Sequence, residues 1–166
     1  MLAARERPLS IFFVRNAMSV DSAYIDTSIL GAYYCPEPLS EASEAALRGV
    51  AVPVISNLTL VEFSSLIARK RQFKELDARR VSRVSSLFRS NVDEGFYRRI
   101  ILGAEHFIRA EQLIEAVATL RTLDALHLAA AMMEDIPIVT ADGQLAGAAK
   151  KLKSGVILVR AATTHR

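Results

Sequence analysis

Four carboxylates in this chain stand where chemistry could use them: Asp26, Glu62, Asp124 and Asp142. Asp26 ends the apolar run Ala23-Tyr24-Ile25, and Asp142 lies three residues past Val139, in the loop after a later apolar run. Glu62 falls in the first turn of a helix that follows the β-branched run Val50–Ile55, and Asp124 is the second residue of a helix starting after Thr122. In an open α/β sheet, ligands collect outside the carboxyl ends of the strands, so these positions put the four acids on one rim. Carboxylates gathered in that way repel one another unless cations neutralise them. Hard divalent cations prefer such oxygen ligands, and Mg²⁺ commonly takes a few carboxylates together with water and substrate phosphate. Zinc-type His and Cys spacing is absent, and His106, His127 and His165 do not form a set.

Each acid taken alone also has a structural explanation. Thr59-x-x-Glu62 reads as a capping box. Asp124 suits the positive end of a helix dipole, Asp142-Gly143 is ordinary turn chemistry, and Asp26 before Thr27 and Ser28 could cap a helix. The case for a site rests on the four together. His127 lies three residues after Asp124 and shares its helix face; it is either a hydrogen-bond partner supporting the acids or a histidine packed beside Leu126 and Leu128, with packing the favoured reading, and it is left out of the catalytic set. Arg121 reads as a surface residue, within reach of an acid or of a substrate phosphate.

The elements that must position these residues follow from periodicity. Short continuous apolar runs at 23–25, 50–55, 138–139 and 156–159 read as strands buried on both faces, and Ile100–Leu102 is either a short strand or a helix lead-in. Helical patterns occupy Ile29–Tyr34, Ser40–Leu47, Leu58–Arg71, Asp77–Phe88, Glu105–Leu120, Leu123–Met133 and Gln144–Leu152, with Asn91–Gly95 as a break. Strands alternating with helices predict a three-layer α/β/α domain around a short, mainly parallel sheet. Residues 1–21 are expected to be an extension outside the fold, with 1–17 dispensable, and residues 22–166 a single domain.

Composition bounds the possibilities. A chain of 166 residues, 51% hydrophobic, can bury a real core. No uncharged apolar run reaches the roughly 18 residues of a spanning helix, so the apolar excess, a mean hydropathy of +0.23, points to a buried sheet and a partner surface rather than a membrane. Lys and Arg number 21 against 18 Asp and Glu, a mild basic excess compatible with a nucleic-acid substrate. Basic residues gather at Arg69–Lys74, Arg79–Arg83 and Lys150–Lys153. The single cysteine, Cys35, excludes an internal disulfide and suits a reducing cytoplasm.

The stretches Tyr24-Ile-Asp-Thr-Ser-Ile-Leu30, Leu60-Val-Glu-Phe63, Leu123-Asp-Ala-Leu-His-Leu-Ala-Ala-Ala131 and Ile138-Val-Thr-Ala-Asp142 resemble, in order and spacing, the signature segments of PIN-domain ribonucleases of the VapC toxin family. The resemblance spans residues 22–160. It implies a Mg²⁺-dependent endoribonuclease, with Mn²⁺ able to substitute, that hydrolyses RNA phosphodiesters with metal-activated water. The family's four acids fall on Asp26, Glu62, Asp124 and Asp142, and its supporting hydroxyls on Thr27 or Ser28 and on Thr140. A cognate antitoxin protein, a homodimer and a cytoplasmic location are implied in the same way. The alternatives are a PIN nuclease of RNA processing or decay without an antitoxin, and a non-catalytic RNA-binding PIN module. A receiver-like or phosphatase-like α/β protein would want an acid pair near strand one and a rim lysine, neither of which is seen.

Overall fold

Five short strands lie side by side in parallel, each followed or preceded by helices that return the chain to the same edge. The computed structural model describes residues 20–161. In chain order the elements are β1 (Val20–Ile25), α1 (Thr27–Tyr34), α2 (Ser40–Arg48), β2 (Val50–Ser56), α3 (Asn57–Gln72), α4 (Ala78–Asp93), β3 (Arg98–Ile100), α5 (Ala104–Ala116), α6 (Thr122–Met133), β4 (Ile138–Thr140), α7 (Gly143–Lys151) and β5 (Val156–Leu158). The strand order is β3-β2-β1-β4-β5. Every pairing in it is parallel, with Tyr24 opposite both Val54 and Ile138. The sheet is therefore wholly rather than mainly parallel.

Alternation along the strands builds two cores. Tyr24, Val54 and Ile138 face α5, α6 and α7, where Leu113, Leu128 and Leu145 are buried with them. Ile25, Ile55 and Val139 face the other way, onto Ile29 and Leu30 of α1, Leu47 of α2, Phe63 and Ile67 of α3, and Phe88 of α4. Helices cover both faces, the three-layer arrangement expected of buried parallel strands. Gly31 lets α1 approach α3 closely, since a Cβ there would stand 2.9 Å from Leu66 Cδ1.

Several boundaries differ from the sequence expectation. β1 begins at Val20, inside the segment assigned to an extension, because Val20 is in register with Val50. Residues 1–17, expected to be dispensable, lie outside the described residues. α4 runs on through the expected break to Asp93, and α5 stops at Ala116 rather than Leu120. β3 is an edge strand, at Arg98–Ile100 rather than Ile100–Leu102.

The capping box of α3 is also displaced. Its cap is Ser56, whose Oγ accepts from the Thr59 backbone N–H while Thr59 Oγ1 accepts from the Ser56 N–H. Thr59 therefore closes the box as its third helical residue, and Glu62 sits in the second turn with no capping duty. Ser56→Ala is expected to cost about 1–2 kcal/mol, the upper part of the usual range for a lost cap, because the same hydroxyl also bonds Tyr24 Oη at 2.7 Å. A urea midpoint unchanged from wild type would show that the box contributes nothing.

Candidate functional site

The four acids come together at the carboxyl edge of the sheet, each carried there by a different element. Asp26 follows β1 at the cap position of α1, yet its side chain makes no capping hydrogen bond. Its Oδ2 instead accepts from Ser28 Oγ at 2.5 Å and Thr140 Oγ1 at 2.7 Å. Thr140 Oγ1 in turn accepts from the Asp142 backbone N–H, and Ser28 Oγ from that of Ala141. The hydroxyls thus tie the end of β1 to the end of β4. Asp142 does cap α7, its Oδ1 accepting from Gln144 and Leu145, so the turn reading and the site reading both hold for this residue.

Glu62 Oε2 accepts from Thr27 Oγ1 at 2.7 Å and pairs with His127 Nε2. Asp124 is the third residue of α6, not the second, and Arg121 rather than Thr122 occupies the cap position. The Arg121 guanidinium bridges Asp124 Oδ2 at 2.7 Å and Asp142 Oδ2 at 2.5 Å.

The charges feel one another. Burial pushes the Asp124 pKa up; Arg121 opposes this, and the negative charges of Asp142 and Asp26 add to the rise. Burial also works against ionisation of Glu62, but His127 and Thr27 outweigh it and hold the carboxyl below its usual range. For Asp142 burial is outweighed by the backbone donors of Leu145 and Gln144 and by Arg121, and the pKa falls. Burial opposes charge on His127, yet the Glu62 hydrogen bond and the surrounding carboxylates push its pKa up.

Every sequence-predicted site residue, Thr27, Ser28 and Thr140 included, joins this network. Two further participants stand outside the predicted set: His127, weighed between packing and hydrogen bonding, and Tyr24, whose role the sequence reading missed. His127 is packed as expected, 1% exposed, but both its ring nitrogens are engaged, Nδ1 by Tyr24 Oη at 2.8 Å and Nε2 by Glu62. Tyr24 was counted only as part of an apolar run; its pKa is pushed up to about 12 by burial. The available signal was strand parity, since Tyr24 and Asp26 lie two residues apart and share a face.

Among the described residues no three His, Cys, Asp or Glu side chains close a ligand shell by themselves. The donor chemistry nonetheless fits a hard cation. Protein donors fall on Oδ2 of Asp26, Oε2 of Glu62 and Oδ2 of Asp124, which leaves Oδ1, Oε1 and Oδ1 for another partner. An open, all-oxygen set suits Mg²⁺, which retains several waters and needs no dedicated protein cage.

Comparison with known proteins bears on the same rim. The model of the PIN domain family matches residues 23–151. The chain belongs to the PIN-domain family. No curated protein matches it. Solved structures similar to this PIN domain include a toxin–antitoxin complex from Klebsiella pneumoniae, at 19% identity and a TM-score of 0.60 over 81% of this chain and 95% of the other. FitAcB from Neisseria gonorrhoeae aligns at 16% identity and 0.62, over 81% and 96%. VapC20 from Mycobacterium tuberculosis, a sarcin-ricin loop cleaving toxin, aligns at 18% and 0.61, over 76% and 94%. At these identities the likeness is one of fold.

Proposed function

We propose that this PIN domain is a divalent-cation-dependent endoribonuclease, the toxin of a toxin–antitoxin pair. The observation that carries the reading is the gathering of Asp26, Glu62, Asp124 and Asp142, from four separate stretches of chain, into one acidic rim: Thr140 links Asp26 to the Asp142 backbone, Arg121 bridges Asp142 and Asp124, and His127 Nε2 pairs with Glu62 and lies 3.9 Å from Asp26 Oδ1. Asp26, Glu62 and Asp124 would hold Mg²⁺ or Mn²⁺ through their second carboxylate oxygens, with Asp142 beside them. When bound, the cation supplies Lewis acidity toward the scissile phosphodiester and the attacking water.

The rest is the work of the chain itself. Ser28 and Thr140 fix Asp26 through its Oδ2, and Thr27 does the same for Glu62 through its Oε2. Arg121, its side chain 60% exposed, offers a guanidinium to substrate phosphate, the geometry in which arginine binds best. Arg69 and Arg71 on α3 and the basic residues of α4 add a salt-sensitive grip on the RNA backbone.

The antitoxin partner is supported by the fold likeness to toxin–antitoxin complexes. Exposed Ile101, Phe107 and Ile108, close together along the chain, suit protein contacts, and we assign a homodimer to this protein on that basis. No described helix is long and apolar enough to cross a membrane.

The test is cleavage of total RNA by the purified chain. Cleavage is expected with Mg²⁺ or Mn²⁺, loss of cleavage with EDTA, and recovery when Mg²⁺ is added in excess. Cleavage that persists in EDTA would remove the cation from the reading, and no cleavage under any cation would remove the nuclease. Purification from the native host should bring a small antitoxin with it; a lone monomer would contradict the toxin assignment.

A further inference from the structure

We propose that Tyr24 and His127 are positioning residues that orient Glu62 so that its carboxylate faces the cation through Oε1. The inference rests on the cation reading of the acidic rim given above.

His127 lies three residues past Asp124 on α6 and is 1% exposed. A core position of this kind needs no polar side chain; its neighbours Leu128 and Ala129 are equally buried. An imidazole is tolerated there because both nitrogens are matched. Nε2–H donates to Glu62 Oε2 in either protonation state of the ring, and Nδ1 meets the Tyr24 hydroxyl at 2.8 Å, a group able to donate or accept. The hydroxyl is itself pinned by Ser56 Oγ at 2.7 Å and Thr59 Oγ1 at 3.3 Å, the capping box of the helix that carries Glu62.

The line therefore runs from β1 through α6 to α3. Each of these elements also brings one acid to the rim: Asp26 after β1, Asp124 on α6, Glu62 on α3. Thr27 Oγ1 donates to the same Oε2 as His127. With both donors on one oxygen, the carboxylate cannot rotate without breaking two bonds, and Oε1 is the oxygen to which no described residue donates. A histidine placed only for packing would not need its far nitrogen fixed by a tyrosine that is anchored at two further points.

The probe is Mn²⁺ alone, titrated calorimetrically into the full chain without RNA. Tyr24→Phe keeps the ring and removes only the hydroxyl. It should weaken Mn²⁺ binding by about tenfold, the low end of the loss when a group supporting a metal ligand is removed. Tyr34→Phe is the control. It deletes a buried hydroxyl bonded to Tyr97 and Asn91 in the core on the opposite face of the sheet, so it should lower the melting midpoint and leave Mn²⁺ affinity at the wild-type value. In a Glu62→Gln background, adding Tyr24→Phe should cause no further weakening, because the effect passes through Glu62.

Wild-type affinity in Tyr24→Phe, or an equal loss with and without Glu62, overturns the positioning role while the cation site stands. A wild-type chain that binds no Mn²⁺ overturns both. Should Tyr24→Phe fail to fold, His127→Gln, which can still reach Glu62 with an amide N–H, should keep more affinity than His127→Leu; equal losses in that pair also overturn the proposal.

Discussion

Asp26→Asn should slow RNA cleavage by at least about 100-fold, the scale of loss when one electrostatic partner of a transition state is removed, while the protein stays folded. Asp26 is 7% exposed and its Oδ2 takes two hydroxyl donors. An asparagine carbonyl can keep accepting from them, so the packing of β1 against β4 survives. What disappears is a negative charge in a set of acids that repel one another, as the upward push of Asp26 and Asp142 on Asp124 shows. The metal-free melting midpoint is therefore expected to hold or rise, and the stabilisation gained on adding Mg²⁺, set by binding to the native state alone, to shrink. Single-turnover cleavage and melting curves with and without Mg²⁺ check both halves. A variant that cleaves at the wild-type rate would sink the assignment. Glu62→Gln should lose cleavage in the same way, but its metal-free midpoint should fall, because His127 and Thr27 hold this carboxylate below its usual pKa range and the amide gives up that pairing. At Asp142 the amide is the right choice, because asparagine preserves the α7 cap that alanine would destroy.

The largest stability effect should come from Leu128→Ala, at about 2–5 kcal/mol, and toward the upper part of that range. Leu128 is fully buried beneath the sheet face that carries Tyr24, Val54 and Ile138. The size of the loss depends on how far the surroundings can collapse into the void. Here four of the buried neighbours on α6, Ala125, Ala129, Ala130 and Ala131, carry only a methyl group, which cannot swing inward. For a domain of this size the midpoint should fall by about 5–15 °C, measured by calorimetry. A change of less than about 1 kcal/mol would mean that α6 is not packed against the sheet as described.

How much of this was legible in the sequence depended on whether a signal was local. The four acids could be read because each follows a strand or opens a helix, and those apolar runs announce themselves. β3 could not: it is a three-residue edge strand with Arg98 and Arg99 exposed and only Ile100 buried, so neither alternation nor a continuous apolar run marks it. The capping box was displaced by one turn because Thr59-x-x-Glu62 satisfies the motif on paper, whereas the hydroxyl that reaches the helix end belongs to Ser56. His127 and Tyr24 are 103 positions apart, and nothing in the residues around either one reports their meeting. Packing was a sound inference for His127 as far as it went; its hydrogen bonds are a tertiary fact.

The parallel sheet with β1 at its centre has a consequence for synthesis. The hydroxyl of Thr140 that fixes Asp26 is 114 residues downstream of it, and β1 gains its second neighbour only when β4 has been made. Pairings of such long sequence separation form late, after the closure entropy of the intervening chain has been met. A ribosome-bound chain that has not yet reached β4 therefore holds Asp26 and Glu62 without Asp142, Thr140 or the strand that aligns them. The acidic rim is assembled only once β4 has been made, so under the proposed function the nascent chain cannot act on RNA before that point.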